Sequence, residues 1–252
     1  MSAIDDSFWN AHNAYRNRDN YMEVFLSTLN TISNEVSFVS AKSCLTLGPG
    51  EGLFEIRFIE KCAGNITKLT AVEQDHESAN RLKTHLKNSL PNVAGVLVET
   101  DFLGWKGPDE PVDLVLLFHV LYYWRPDERH QFLRNLHDFW LAAGGFVVVV
   151  SASRTKSPGN GNEIFRRLGT PLMTWENIEA DLLEVGFIKQ HVYEMQFTRD
   201  FSSPDESFLR FYQSHVNPPV TLDDIRDTIN ELYPEGKCDQ CFNTLAVFER
   251  KH

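Results

Sequence analysis

The chain has 252 residues, 42% of them hydrophobic and 23% charged, enough for one α/β domain with a full core and room for an insertion. A net charge of -11 with no lysine–arginine cluster argues against a nucleic-acid partner, because phosphate contacts need a basic face. No apolar run approaches the roughly 18 residues of a membrane span, and Met1-Ser2-Ala3-Ile4-Asp5-Asp6 lacks the segments of a secretory signal, so a cytoplasmic protein away from membranes is expected.

A polar stretch over 1–40 comes first and carries Phe8, Trp9 and Tyr15, which need an apolar surface to cover. Strands are predicted at 44–47, 68–72, 95–98, 112–118 and 146–151, and helices at 53–62, 76–90, 126–141 and 175–185. This alternation implies βαβ units and a parallel sheet. The run Val147-Val148-Val149-Val150 suits a strand covered on both faces. A flexible loop with Pro158-Gly159-Asn160-Gly161 is expected over 153–162.

The rhythm then changes. Strands at 187–197 and 242–249 are separated by helices at 205–215 and 222–232, which read as a two-helix lid. Asn217-Pro218-Pro219-Val220 between those helices reads as a loop breaker ahead of a helix capped by Thr221. The organisation expected is one domain: a cap over 1–40, a cofactor-binding sheet over 41–197 and 242–252, and a lid insertion over 198–241. A domain of this size needs no partner to fold, so a monomer is expected.

The most informative stretch is Leu45-Thr46-Leu47-Gly48-Pro49-Gly50-Glu51-Gly52, followed by Val72-Glu73 at the end of the next apolar run. Strand, glycine turn and helix start let a ligand approach the main chain. An acid about twenty residues on, at the tip of the neighbouring strand, is placed to accept hydrogen bonds from a ribose diol. A dinucleotide fingerprint wants glycine where Leu53 stands. Glu51 inside the loop would repel a pyrophosphate and suits a cationic ligand, which favours S-adenosylmethionine over NAD.

Four cysteines (Cys44, Cys62, Cys238 and Cys241) fit a reducing compartment, with Cys44 a small hydrophobe in a strand. Cys238-x-x-Cys241 has no further ligands nearby for zinc and no βαβ context for a redox motif, so no metal site is assigned.

Together these residues resemble class I S-adenosylmethionine-dependent methyltransferases: the glycine loop, Glu73, Asp101 after the third strand and Gly144-Gly145 before the fifth stand in the family's order. Within that superfamily the chain is most similar to histamine N-methyltransferase and its relatives, through His119-Val120-Leu121-Tyr122-Tyr123 and Phe242-Asn243-Thr244-Leu245. The resemblance implies a Rossmann-like, seven-stranded α/β sheet with helices on both faces, an N-terminal helical cap and the two-helix lid. It implies S-adenosyl-L-methionine contacts from Gly48, Pro49, Gly50, Gly52, Glu73, Gln74, Asp101, Phe102, Phe118 and His119. It implies substrate contacts from Phe8, Tyr15, Asp19, Tyr122, Tyr123, Trp175 and Asn243, with catalytic roles for His119, Tyr122 and Tyr123. The chain departs from the family at His119, where a glutamine stands, and at the N-terminal acid, where the register offers Arg18 or Asp19.

The chemistry implied is transfer of a methyl group to a small amine or imidazole nitrogen. Asp19, Tyr122, Tyr123 and Asn243 are expected to line one pocket facing the sulfonium. An inward Arg18 would instead favour an anionic acceptor such as an imidazole amino acid, and loss of turnover would leave a non-catalytic S-adenosylmethionine-binding protein.

Overall fold

The computed structural model describes residues 6–100, 102, 104–153, 161–170 and 173–251. Helices α1 (Asp6–Arg16) and α2 (Tyr21–Glu35) lead into an alternation of strands and helices. These are β1 (Ser43–Leu47), α3 (Leu53–Cys62), β2 (Lys68–Glu73), α4 (His76–Ser89), β3 (Ala94–Glu99), β4 (Val112–Phe118), α5 (Pro126–Asn135) and β5 (Leu141–Ala152). Then follow α6 (Gly161–Arg167), α7 (Trp175–Val185), β6 (Ile188–Asp200), α8 (Glu206–His215), α9 (Leu222–Leu232) and β7 (Lys237–Glu249).

The strands form one sheet in the order β3-β2-β1-β4-β5-β7-β6. The ladders β2–β3, β1–β2, β1–β4 and β4–β5 are parallel. Strand β7 runs against β5: Ser153 N–H donates to Phe242 O, whereas Arg250 N–H donates to Gly145 O, so one numbering rises as the other falls. The order of the strands reverses between β1 and β4. Open α/β sheets bind ligands at such a switch point, outside the carboxyl ends of the strands.

The chain divides into two compact units. One comprises 26–151, 177–193 and 244–252. Its core is the middle of the sheet, where Leu45, Leu47, Leu114, Val115, Leu116, Leu117, Val147, Val148 and Val149 are fully buried. Strands that are apolar on both faces read as continuous hydrophobic runs, and each such side chain contributes about 1.5–3 kcal/mol on burial. Phe38 closes one side, edge-on to Phe58 and Phe146 at 5.4 and 5.2 Å between ring centroids.

The other unit comprises 1–25, 152–176 and 194–243. Its core is aromatic: Tyr15 stacks on Phe211 at 3.8 Å, Phe201 on Tyr233 at 4.1 Å, and Phe165 meets Tyr212 at 5.1 Å. Asp205 caps α8 through the Phe208 amide, and Thr221 and Asp224 form a capping box on α9. The helices expected as a lid and the first part of the segment expected as a cap, up to residue 25, belong to this unit with 152–176, whereas the rest of the expected cap, 26–40, belongs to the unit of the central sheet.

The three largest departures from the expected boundaries, each of about five residues or more, concern α5, β5 and β7. The helix expected over 126–141 is α-helical only to Asn135 and continues as a π-turn, Leu136–Trp140. Strand β5 starts at Leu141, where Leu141 pairs with Val112 ahead of the Val112/Leu114 register shift. Strand β7 starts at Lys237, so Asn243 lies in mid-strand and does not open it. Part of the expected loop over 153–162 lies outside the described residues; its end, from Gly161, is helix α6.

Candidate functional site

The unit that contains β1 and β4 also contains the glycine loop. Gly48, Gly50 and Gly52 all have left-handed backbone, with φ of 56°, 57° and 75°, a region costly for residues with a Cβ. Space within the chain adds to that requirement. A Cβ on Gly52 would lie 2.2 Å from Leu82 Cδ1, and one on Gly48 would lie 2.9 Å from Val120 Cγ2. These two glycines thus answer to backbone and packing inside the protein, and not to ligand clearance alone.

Glu73 ends β2 and is 6% exposed. Its Oε2 accepts the Gly50 amide at 2.8 Å and its Oε1 accepts the Asp75 amide at 2.9 Å. Each oxygen keeps lone pairs for further donors, which fits a ribose diol. Burial raises the Glu73 pKa above the ordinary carboxylate value, and the Asp75 and Gly50 amides oppose that rise. Asp75 is itself held as the cap of α4, accepting from the Ser78 amide at 2.8 Å and the Ser78 hydroxyl at 2.7 Å.

Glu51 behaves differently from its sequence reading. Arg81 donates to its carboxylate at 2.7 Å, so the loop carries a balanced pair and not a lone anion. The repulsion argument against a pyrophosphate loses its force, and Arg81 is a partner of the glycine loop that sequence reasoning missed.

After β4 the chain turns sharply. His119 has φ of 54°, a conformation found in few residues other than glycine. Its amide donates to Val150 O at 2.9 Å, and its ring lies edge-on to Phe54 and tilted to Tyr122, both at 6.4 Å. A 3-10 turn, Leu121–Tyr123, follows, in which the Tyr122 and Tyr123 rings meet at 4.6 Å and Tyr123 is 48% exposed. Phe118 is buried, and Phe102 packs edge-on against Trp124 at 5.6 Å. Pro49 is buried within the loop and Gln74 is exposed beside Glu73. Asp101 lies outside the described residues, as does the side chain of Phe8.

The remaining expected substrate residues belong to the second unit. Asp19 stands in the link between α1 and α2, with its side chain 6% exposed. It is paired with Arg199 of β6, whose Nε donates to Asp19 Oδ2 at 3.2 Å and whose Nη2 donates to the same oxygen. Arg199 also donates to the Tyr15 hydroxyl and lies 3.8 Å over the Tyr15 ring. The neighbouring Asp19 carboxylate and Tyr15 phenol hold the Arg199 proton against the effect of burial, so the guanidinium stays charged. Arg18 turns to the start of α8, donating to Ser202 O at 2.8 Å and to Asp205 at 3.1 Å. Trp175, at the start of α7, and Asn243 are both buried. Sequence reading missed Arg199, although a signal was present: Met195, Phe197 and Arg199 are buried at alternate positions, a period of two.

Residues 44–145 match the family described as Methyltransferase domain. No curated protein matches the chain significantly. Solved structures share its fold at low identity. N-methyltransferase NodS from Bradyrhizobium japonicum WM9, in complex with S-adenosyl-L-homocysteine, is 17% identical with a TM-score of 0.59, over 98% of this chain and 100% of that one. A putative methyltransferase from Bacillus halodurans C-125 is 15% identical with a TM-score of 0.63, over 90% and 99%. The [4+2]-cyclase SpnF is 13% identical with a TM-score of 0.56, over 89% and 80%. The fold is the seven-stranded methyltransferase sheet, and the cofactor indicated by the methyltransferase domain is S-adenosyl-L-methionine. No helix among the described residues is long and apolar enough to cross a membrane.

Proposed function

We propose that this chain is an S-adenosyl-L-methionine-dependent methyltransferase and that it methylates a nitrogen of a small amine or imidazole compound. The observation that carries the reading is the turn after β4, where His119 in left-handed backbone is followed by the paired rings of Tyr122 and Tyr123. NodS, which shares the fold, is an N-methyltransferase, and this supports nitrogen as the acceptor atom.

Glu73 would hold the ribose hydroxyls and Asp101 the adenine amino group, with Gly48, Pro49, Gly50, Gly52, Gln74, Phe102, Phe118 and His119 around the rest of the cofactor. When bound, the cofactor supplies an electrophilic methyl group on a sulfonium. The protein's part is to position donor and acceptor and to exclude water. The faces of Tyr122 and Tyr123 stabilise a cationic nitrogen at about 0.5–2 kcal/mol each. An imidazole offers a lone pair at neutral pH, whereas an alkylamine must first lose a proton, and His119 is the group proposed to accept it.

Phe8, Tyr15, Asp19, Trp175 and Asn243 are proposed to bind the acceptor. One observation favours a second substrate class. Because Asp19 is paired with Arg199, that part of the chain offers a carboxylate and a guanidinium together. An acceptor with both an ammonium and a carboxylate, such as an imidazole amino acid, matches such a pair better than a simple cation does.

The test is a panel of imidazoles with ethylammonium arms, imidazole amino acids and primary amines, incubated with methyl-labelled cofactor. Label on a nitrogen of any member supports the proposal, and the preferred arm separates the two classes. A protein that binds S-adenosylhomocysteine by calorimetry yet labels none of them is a binding protein and not this enzyme. The [4+2]-cyclase on the same fold makes that outcome worth measuring.

A further inference from the structure

Arg129 lies on the stripe that α5 buries: Arg129, Phe132 and Leu133 share one face of the helix at spacings of three and four. It is 4% exposed. An aliphatic side chain would suit that stripe, because a buried ion pair is no more stabilising in itself than well-packed apolar residues of similar volume. The burial of this arginine is explained instead by what its donors reach. Its Nε donates to Asp181 Oδ2 of α7 at 2.5 Å, and its Nη1 donates to Trp124 O at 3.3 Å. The guanidinium is planar, so the carboxylate on Nε fixes the direction in which Nη1 points.

Trp124 closes the turn that carries the paired tyrosines. Within that turn the Tyr123 amide donates to Val120 O at 3.1 Å and the Trp124 amide donates to Leu121 O at 3.5 Å. Trp124 leaves in extended backbone, with φ of -99° and ψ of 145°, and Arg125 alone separates it from α5. Its indole is buried, edge-on to Phe132 at 4.6 Å and to Phe102 at 5.6 Å. Leu121 is also buried, whereas Tyr122 is half-buried and Tyr123 is exposed. The turn is thus anchored at its two ends, and the tyrosine rings ride on the backbone between them. A carbonyl leaving a helical turn has no partner within the turn, and Arg129 supplies one to Trp124. All of these residues belong to the unit of the central sheet.

We propose that Arg129, locked by Asp181, is a positioning residue for the acceptor site: it fixes the Trp124 carbonyl and thereby the pose of Tyr122 and Tyr123. The inference rests on the function proposed above for those two rings. Arg129 acts through the main chain and not by contact with the reacting groups, and its partner Asp181 gives α7 a part in the site. Methyl transfer depends on near-attack geometry, and a misplacement of about 1 Å caused far from the chemistry can lower the rate by about 10²-fold. A turn released at Trp124 would keep both rings and lose their alignment.

The test compares the wild-type chain with Arg129→Met and with the double variant Arg129→Met, Asp181→Leu, which removes both charges and keeps apolar volume in the stripe. Hydrogen exchange read by mass spectrometry should quicken at the Tyr123 and Trp124 amides by about tenfold or more, the worth of one hydrogen bond from a charged donor. Strands β1, β4 and β5 of the double variant should keep wild-type protection, and its melting temperature should stay close to that of the wild type. On an acceptor that the wild-type chain labels, kcat should fall by about ten- to a hundredfold, with S-adenosylhomocysteine affinity unchanged by calorimetry. Wild-type exchange at the turn of the folded double variant would overturn the proposal, as would a loosened turn with wild-type kcat. Loss of protection throughout the sheet in both variants would also overturn it, by assigning the pair to stability alone. Failure of the proposed function has a different signature: the wild-type chain labels no acceptor, while the exchange reading, which needs none, still decides whether Arg129 holds the turn.

Discussion

The carboxylate of Glu73 accepts the amide proton of Gly50 at 2.8 Å, tying the glycine loop after β1 to the tip of β2. One acid therefore does two things at once. It fixes the loop from below, and it keeps lone pairs for a diol. Because both depend on the same atoms, loop geometry and the proposed ribose recognition would be coupled.

Glu73→Ala should weaken S-adenosylhomocysteine binding by about 1.5–3 kcal/mol, the worth of charge-assisted hydrogen bonds. Isothermal titration calorimetry measures this directly. Affinity unchanged within error would remove Glu73 from the cofactor assignment.

The same group sets a pH dependence. Burial raises the folded-state pKa of Glu73 above its ordinary value. Above that raised pKa the ionised carboxylate can accept two hydroxyl protons; below it, one oxygen carries a proton and no longer accepts in the same way. Cofactor affinity should therefore fall on acidification at a pH above the ordinary carboxylate range. For the fold the sign is opposite, since a carboxyl with a raised folded pKa contributes stability present at low pH and lost as pH rises through that pKa. Glu73→Gln should flatten the affinity profile. A variant that keeps the wild-type midpoint would assign the titration to another group.

Much of this architecture was legible in the sequence, and the misses share a cause. Strand β4 and helices α3, α7 and α9 lie where apolar periodicity put them, because local pattern decides them. The early start of β5 was not legible, since Leu141-Ala142-Ala143-Gly144-Gly145 reads as a helix end. It is strand because Leu141 pairs with Val112 and Gly144 donates to Arg250 O, partners remote in sequence. The Glu51–Arg81 and Asp19–Arg199 pairs were missed for the same reason. Each joins residues that no local pattern connects, 30 and 180 positions apart. At the candidate site the glycines and Glu73 were legible as a motif, whereas the left-handed turn at His119 needed the backbone itself.

The Asp19–Arg199 pair leads to a stability prediction. Both side chains are 6% exposed. Removing one partner of a buried pair leaves an uncompensated charge and costs about 3–5 kcal/mol, whereas replacing both with apolar residues of similar volume is often close to neutral. Asp19→Ala should lower the urea midpoint sharply. Asp19→Leu with Arg199→Met should recover most of the loss, and the double-mutant cycle then reports the coupling. A loss under about 1 kcal/mol for Asp19→Ala would mean that the pair is solvated in solution and behaves as a surface bridge.

His119 offers a way to separate strain from chemistry. A side chain in left-handed backbone costs roughly 1–2 kcal/mol, which glycine relieves. Glycine also frees the unfolded chain, at about 0.4–1 kcal/mol in the other direction. The two terms oppose, so His119→Gly should shift the melting temperature little, even though the residue is half-buried at the end of β4. Turnover is a different matter. If the imidazole accepts a proton from the acceptor, its loss should lower kcat by about 10²-fold or more, the usual worth of a general base. The loss should be larger for alkylamines than for imidazoles, which need no deprotonation at neutral pH. His119→Gln keeps a hydrogen-bonding group but no base. It should restore imidazole methylation and leave alkylamine methylation low. Equal kcat values for wild type and His119→Gly on both acceptor classes would reduce His119 to a turn residue and leave the tyrosines to carry the proposal.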